Sequence, residues 1–392
     1  MSNGNDQLAY VLINPYTIYK SRTGGVIARL FTRTALDLVA ARMFAPSREL
    51  TAEYAATIVT AAGAQDRKAQ ELIRQYILDN YAPDPKTGQR RRVMMLVFRG
   101  EDATKKIRAA VGQIETGRGT AGETIRDTYG DFVLGPDGQM KYFEPAVLAA
   151  PTAEEVELKL KLWTKYSDTD AGYLDNVVKY PKNANVEQTL VLLKPDNFRF
   201  PSARPGSIVD LISRTGLYII AIKVHHMSVA QANDFYGPVR EVLCNVLGKA
   251  AGPRARTALE NEFGFAMPAE SEAILSQMLA PLAAAHQFNR IVSFMTGHGA
   301  DPGAEPVNNP GKMVALVYQG PDAVAKIRGV LGSTDPRKAA PGTIRRELGQ
   351  DMMVNAAHAS DSPDNAKREM DIIQIRENNL KSLVEKHYNC KL

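Results

Sequence analysis

The sequence predicts an α+β chain made of two ferredoxin-like (βαββαβ) domains, each with a four-stranded antiparallel sheet, the second with a helical insertion. Three observations predict it. The length, 392 residues, allows two or three domains at roughly 150 residues each. Several separate segments recur in the same order in the two halves. Within each half, short β-branched apolar runs alternate with amphipathic stretches.

The recurrence is specific. Val93 to Gly112 reads VMMLVFRGEDATKKIRAAVG, and Met313 to Gly332 reads MVALVYQGPDAVAKIRGVLG. Lys106 and Arg108 thereby match Lys326 and Arg328. Downstream, Gly122-Glu123-Thr124-Ile125-Arg126 parallels Pro341-Gly342-Thr343-Ile344-Arg345. Upstream, Asn14-Pro15 and Gly24-Gly25-Val26-Ile27 parallel Lys194-Pro195 and Pro205-Gly206-Ser207-Ile208. Each unit exceeds 100 residues, so these are domains and not solenoid turns. The expected division is 1–153, a connector at 154–187 that opens with the charged stretch EEVELKLKLW, and 188–392.

In the second copy, Thr189 to Leu193 is a short apolar strand. Pro205 to Thr215 reads as a helix, opening on Pro-Gly and stopped by Gly216. Leu217 to Val224 is the next strand, and Ser228 is the N-cap of a helix through Tyr236. Residues 241–285 interrupt the order with Ala-, Leu- and Glu-rich stretches that read as an inserted helical hairpin. Met313 to Tyr318 is a strand, and Pro321 to Leu331 a helix with proline at its start. Met352 to Ala356 is the last strand, and Pro363 to Ile373 the last helix. The first copy has a shorter counterpart of the insertion between Ala56 and Gln89. It also has a hairpin from Asp131 to Phe143, turning at Pro136-Asp137-Gly138.

Composition excludes several classes. Hydrophobic residues at 44% and charged residues at 23% belong to a folded chain. A net charge of +5 is too small to mark a nucleic-acid protein. The two cysteines, Cys244 and Cys390, exclude a disulfide scaffold and a four-cysteine zinc site. No leader-like N-terminus and no run of roughly 20 apolar residues is present, so a soluble cytoplasmic protein with no membrane partner is expected.

Among six histidines, His358 has the most telling setting. It ends an apolar run and stands in Asn355 to Ser362, NAAHASDS, a turn entering a helix that carries Glu369. This resembles nucleoside diphosphate kinase, whose signature is an N-x-x-H-G-S-D-S stretch. Two more blocks carry the resemblance: Leu193-Lys194-Pro195-Asp196, and Leu331-Gly332-Ser333-Thr334-Asp335-Pro336 followed by Pro341 to Arg345. It covers roughly Val186 to Ile373, apart from the insertion.

The resemblance implies ping-pong transfer of a γ-phosphate from a nucleoside triphosphate to a nucleoside diphosphate through a phosphohistidine. It makes His358 the nucleophile and Glu369 the carboxylate that fixes its tautomer. By the same resemblance, Ser360 bonds that glutamate and Tyr236 helps place the histidine. Lys194, Arg328 and Arg345 are the implied cations for phosphate, with Thr334 as a hydroxyl donor. Lys194 and Asn355 match residues that hold the ribose, and Phe288 matches a base-stacking position. Mg2+ is the implied cofactor, held through the nucleotide phosphates, so no protein metal site is expected. A homo-oligomer is implied, and no Walker pattern points to another kinase class.

Three departures define a rival reading, a weak or inactive scaffold. Ala359 replaces the signature glycine, Ala285 stands where the family has arginine, and the insertion falls at the nucleotide-clamping helices. A nucleic-acid role rests on the basic run Lys86 to Arg92 alone. The first copy has Asn14 in place of Lys194 and no histidine in residues 1–224, so it is expected to be silent. Anchoring Pro151 on Pro363 sets Ala146 opposite His358 and Phe143 opposite Asn355.

Overall fold

The computed structural model describes residues 6–60, 67–114, 122–136, 140–175, 177–297 and 311–392. The first half runs β1 (Asp6–Ile13), α1 (Pro15–Tyr19), α2 (Thr23–Thr34), β2 (Asp37–Phe44), α3 (Arg48–Ala56), α4 (Arg67–Asn80), β3 (Val93–Glu101), α5 (Ala103–Val111), α6 (Ile125–Tyr129), β4 (Asp131–Leu134), β5 (Met140–Glu144), β6 (Val147–Leu148) and α7 (Ala153–Lys165). The second runs β7 (Val186–Leu193), α8 (Arg204–Ser213), β8 (Tyr218–His226), α9 (Val229–Tyr236), α10 (Val239–Phe263), α11 (Ala269–Thr296), β9 (Lys312–Pro321), α12 (Ala323–Leu331), α13 (Ile344–Leu348), β10 (Ala357–Ala359), α14 (Pro363–Ile372) and α15 (Asn379–Tyr388).

Each half builds a four-stranded sheet of the same order, β2-β3-β1-β6 and β8-β9-β7-β10. That is the ferredoxin-like α+β order in both halves. The central strands run antiparallel, with Tyr10 opposite Val97 and Leu190 opposite Val317. Leu8 to Ile13 and Leu190 to Leu193 are buried without alternation, as central strands covered on both faces require. β4 and β5 form a separate two-stranded hairpin, whose turn at 137–139 lies outside the described residues.

Two sequence expectations are corrected here. The stretch expected to open the connector forms α7, which belongs to the first core. Its Val156, Leu160 and Trp163 lie on one face and pack in a cluster with Leu12, Phe44, Tyr54 and Tyr81. The charges between them concealed this face. The last strand begins at Ala357 and not at Met352. The Asp351 carboxylate accepts the N–H groups of Met353 and Val354, each at 2.7 Å, which curls that segment away from the sheet.

By compactness the chain divides into two units. One comprises residues 1–193, 200–224 and 314–392, and holds both sheets; the other comprises 194–199 and 225–313. In the first unit, α2 packs on α8 at a glycine crossing. A methyl built on Gly24 would sit 2.6 Å from the Gly206 carbonyl oxygen, and one on Gly206 would fall on Ala28 and Gly24 backbone. The segment after α7 joins both sheet edges. Gly172 donates its N–H to the Met43 carbonyl, and Leu174 donates to Ile220.

In the second unit, α10 and α11 form the inserted hairpin, longer at both ends than 241–285. They approach closely at Gly252, where a methyl would meet the Glu272 carbonyl oxygen at 2.5 Å. Among the described residues, no helix is long and apolar enough to cross a membrane.

Candidate active site

β10 carries the site, and its position follows from a local backbone device. Ala356 has φ of +70°, a left-handed conformation, and Ala357 donates its N–H back to the Asn355 carbonyl at 2.8 Å. The chain is thus turned into register with β7, so that His358 lies opposite Leu192. Ser360 then donates its N–H to Leu190 at 3.1 Å. Ala359 is paired with Val191 in the strand and does not have positive φ, so alanine in place of glycine costs no backbone strain.

The Ser362 side chain caps α14 by accepting the N–H of Asn365, and the first turns of α14 then return Glu369 to β10. His358 Nε2 and Glu369 Oε2 are 2.9 Å apart. Ser360 Oγ donates to the same carboxylate oxygen at 2.6 Å. Glu369 and Ser360 are buried, while the His358 side chain is 21% exposed. A carboxylate fixed on Nε2 favours the tautomer with its proton there.

Arg328, Thr334, Arg345 and Asn355 lie in the same compact unit as this pair. Arg328 is exposed on the last turn of α12. Asn355 is buried and donates its amide to the Thr334 carbonyl at 3.2 Å and the Met352 carbonyl at 2.9 Å. Thr334 is exposed. Arg345 donates to the Gly332 carbonyl at 3.0 Å and to the Ala357 carbonyl at 3.1 Å, so it braces the histidine strand. Asp361 belongs to this group although sequence reasoning did not single it out. The Asn365 amide, and then the charges of Arg328 and His358, hold its carboxyl below the usual range. Its place in the NAAHASDS stretch was the available signal.

Lys194, Tyr236 and Phe288 lie in the other compact unit. Lys194 is buried, with Nζ 5.7 Å from the Phe294 ring centre. Tyr236 ends α9, whose start is held by a capping box between Ser228 and Gln231. Phe288 corrects an expectation. It is fully buried in α11, and the Arg240 guanidinium covers its ring at 4.0 Å, so its face is taken and offers no platform for a base. Ala285 is exposed on α11, and the inserted Arg256 pairs with Glu260 at 3.0 Å.

The first half shows a similar strand-and-turn geometry built from other residues. Arg126 donates to Gly112 and Val147 as Arg345 does to Gly332 and Ala357. Ala146 has φ of +59°, matching Ala356. These pairs correct the sequence register: Leu148 stands opposite His358, and Pro145 opposite Asn355. The N-caps Thr152 and Ser362 extend the match, setting Lys159 opposite Glu369. Pro151 and Pro363 misled because they are not equivalent. Leu148 is enclosed with Tyr76, Tyr81 and Trp163. Beside them, Glu144 from β5 accepts from Tyr76 at 2.6 Å and Asn14 at 3.2 Å, and Tyr81 donates to Asn14 at 2.7 Å. Arg108 donates to the Pro151 carbonyl at 3.2 Å.

Comparison with known proteins places the chain beside one family. Residues 267–378 match the family model for nucleoside diphosphate kinase. The chain is 31% identical over 185 residues to a nucleoside diphosphate kinase of Campylobacter hominis, covering 47% of this chain and 93% of that protein. It is 30% identical over 188 residues to that of a Parafrankia species, covering 48% and 95%. A crystal structure of an NDP kinase from Pyrobaculum aerophilum aligns at 30% identity and a TM-score of 0.33, over 48% of this chain and 94% of that one.

Proposed function

The chain belongs to the nucleoside diphosphate kinase family, and from that premise we propose that it transfers phosphate through His358, at one site in its C-terminal half. The observation that carries this reading is the buried Glu369 carboxylate, held by Ser360 and 2.9 Å from His358 Nε2. A surface histidine has no need of such a partner. Nδ1 attacks the γ-phosphorus of a nucleoside triphosphate. The N–P bond forms, the bond from γ-phosphorus to the bridging oxygen breaks, and the nucleoside diphosphate leaves with that electron pair. A second diphosphate then attacks the phosphohistidine through a terminal oxygen and restores the ring. Glu369 keeps the Nε2 proton in place through both steps.

Arg328 and the Thr334 hydroxyl are the groups assigned to phosphate, and Asn355 to the ribose. Arg345 is assigned a positioning role through Ala357. Among the described residues no cluster of three or more metal-ligating side chains occurs. Donors that suit phosphate rather than metal fit Mg2+ that arrives on the nucleotide, where it neutralises phosphate charge. The chain reads as two tandem copies of one domain, the first ending with α7 and the second carrying the α10–α11 hairpin. The first copy is assigned no transfer, and self-association of chains is part of the same reading.

Incubation with γ-labelled ATP and magnesium tests it. The expected result is one acid-labile phosphate per chain, discharged by any nucleoside diphosphate and lost in His358→Ala. An unlabelled chain would leave the scaffold reading. Sedimentation of the chain tests the self-association.

A further inference from the structure

The inserted helix α11 is apolar on more faces than the fold uses. One row, Ala280, Ala284, Phe288 and Val292, is buried. A second row, Ile274, Met278 and Leu282 at i, i+4 and i+8, is 58%, 66% and 68% exposed. Ser276 meets α10 at Gly252, and Ile274 and Met278 stand two residues to either side of it, about 200° round the helix axis. The exposed row therefore points away from α10. Ala273, Pro281 and Ala285 lie beside it and are exposed as well. From Ala273 to Asn289 there is no Asp, Glu, Lys or Arg. A helix on a protein surface carries its charges on the outer face, whereas one that is apolar all round belongs in an interior.

Charge decides what covers this row. Glu270 stands at its N-terminal end, and His286 and Arg290 at its C-terminal end. A second α11 laid antiparallel, with the two Met278 side chains meeting, sets each acidic end over the basic end of the other copy. It brings Ile274 against Leu282 and opposes the two helix dipoles. A parallel pair would set Glu270 against Glu270. The small Ala273, Pro281 and Ala285 let the two backbones approach. The row and these neighbours expose on the order of 500 Å² per copy, so a pair buries about 1,000 Å², the size at which specific interfaces begin. A lipid surface would call for lysine or arginine along the polar flanks, and α11 has no lysine and only Arg290.

We propose that two copies of the chain associate through this row of α11, antiparallel, with Met278 on the two-fold axis. The proposed function asks only that chains associate; this inference rests on that part of it, not on the phosphate transfer, and names the surface.

Sedimentation equilibrium of the full chain is the test. A Kd on the order of 10 μM or below is expected. Met278→Glu places two like charges on the axis and raises Kd at least about tenfold, with the helix content and melting temperature of the dilute chain unchanged. Ile274→Glu and Leu282→Lys each weaken association about tenfold, and the two in one chain recover most of the loss, because the new charges meet across the pair. In a Cys244→Ser, Cys390→Ser background, Met278→Cys forms a disulfide between chains under mild oxidation. Ile274→Cys does not, since the two copies of that position lie eight residues, about 12 Å, apart along the pair. Equal association of all variants defeats the proposal and leaves the self-association reading standing. A parent still monomeric at about 100 μM defeats both, and labelling of His358 in that monomer leaves the transfer reading intact. Additive losses in the charge pair, a disulfide at Ile274→Cys in place of Met278→Cys, or a monomeric parent that floats with phosphatidylcholine vesicles also overturns the proposal.

Discussion

Leu148 pairs with Leu12 in the first sheet as His358 pairs with Leu192 in the second. In the first half a packed leucine therefore stands in the place of His358, the proposed nucleophile, and Lys159 in that of Glu369. Leu148→His is expected to gain no phosphorylation, because the new ring meets a lysine and an aromatic wall. It is also expected to lose on the order of 2–4 kcal/mol, the cost of replacing a buried leucine with a polar ring. Intact mass after ATP treatment and a denaturant melt read both effects. A second labelled histidine would refute the argument.

Glu369 is bonded to His358 and Ser360, and the proposed role for it is to position the ring rather than to bind phosphate. Glu369→Gln keeps the shape and removes the charge that fixes the Nε2 proton. A kcat lower by on the order of 10- to 100-fold is expected, with little movement in KM. Steady-state kinetics at several nucleotide concentrations separates the two constants. A variant with raised KM and intact kcat would make Glu369 a binding residue.

Glu144 carries an electrostatic cost in the first half. Burial raises its carboxyl, against the pull of the Tyr76, Asn14 and Ala146 hydrogen bonds. The folded state thus keeps a proton above the pH at which the unfolded chain has released it. Stability from this group is complete below the unfolded value of 4.5 and is lost as pH rises through the raised folded value. Glu144→Gln removes that loss. The variant is expected to be more stable than the parent at neutral pH and to have a flatter stability profile in mild acid. Urea midpoints across that range decide it, and a variant weaker at pH 7 would contradict the sign.

Gly206 admits no side chain, because backbone of Ala28 and Gly24 already occupies the space. Backbone cannot swing aside as a flexible side chain can. Gly206→Ala is expected to cost roughly 1–3 kcal/mol by forcing α2 and α8 apart. Adding Gly24→Ala should cost less than the sum of the two, since both act on one gap. Additive losses in paired melts would show that the helices yield independently.

Much of this was legible in the sequence, and the reasons differ by residue. The repeat, and His358 with Ser360 and Glu369, were readable because recurring blocks and a local turn-helix spacing encode them. Ala356 was not, since alanine gives no sign of a left-handed backbone that its surroundings impose. The register of the first half failed because Pro151 precedes its N-cap, Thr152, whereas Pro363 follows its own, Ser362. α7 was misread because its apolar residues are few and its charges many. Phe288 was misjudged because sequence shows a ring but not Arg240 lying on it.

The segment from Asp170 to Leu174 does more than carry the chain between its halves. Asp170 accepts from Ala45, Gly172 donates to Met43, and Leu174 donates to Ile220, so it is bonded to the outer strands β2 and β8 of both sheets. An outer strand with unmet N–H and C=O groups is a template for a foreign strand. Here one short stretch of the chain shields both templates, so the connector protects the protein against strand-by-strand aggregation, and loosening it would put both sheets at risk together.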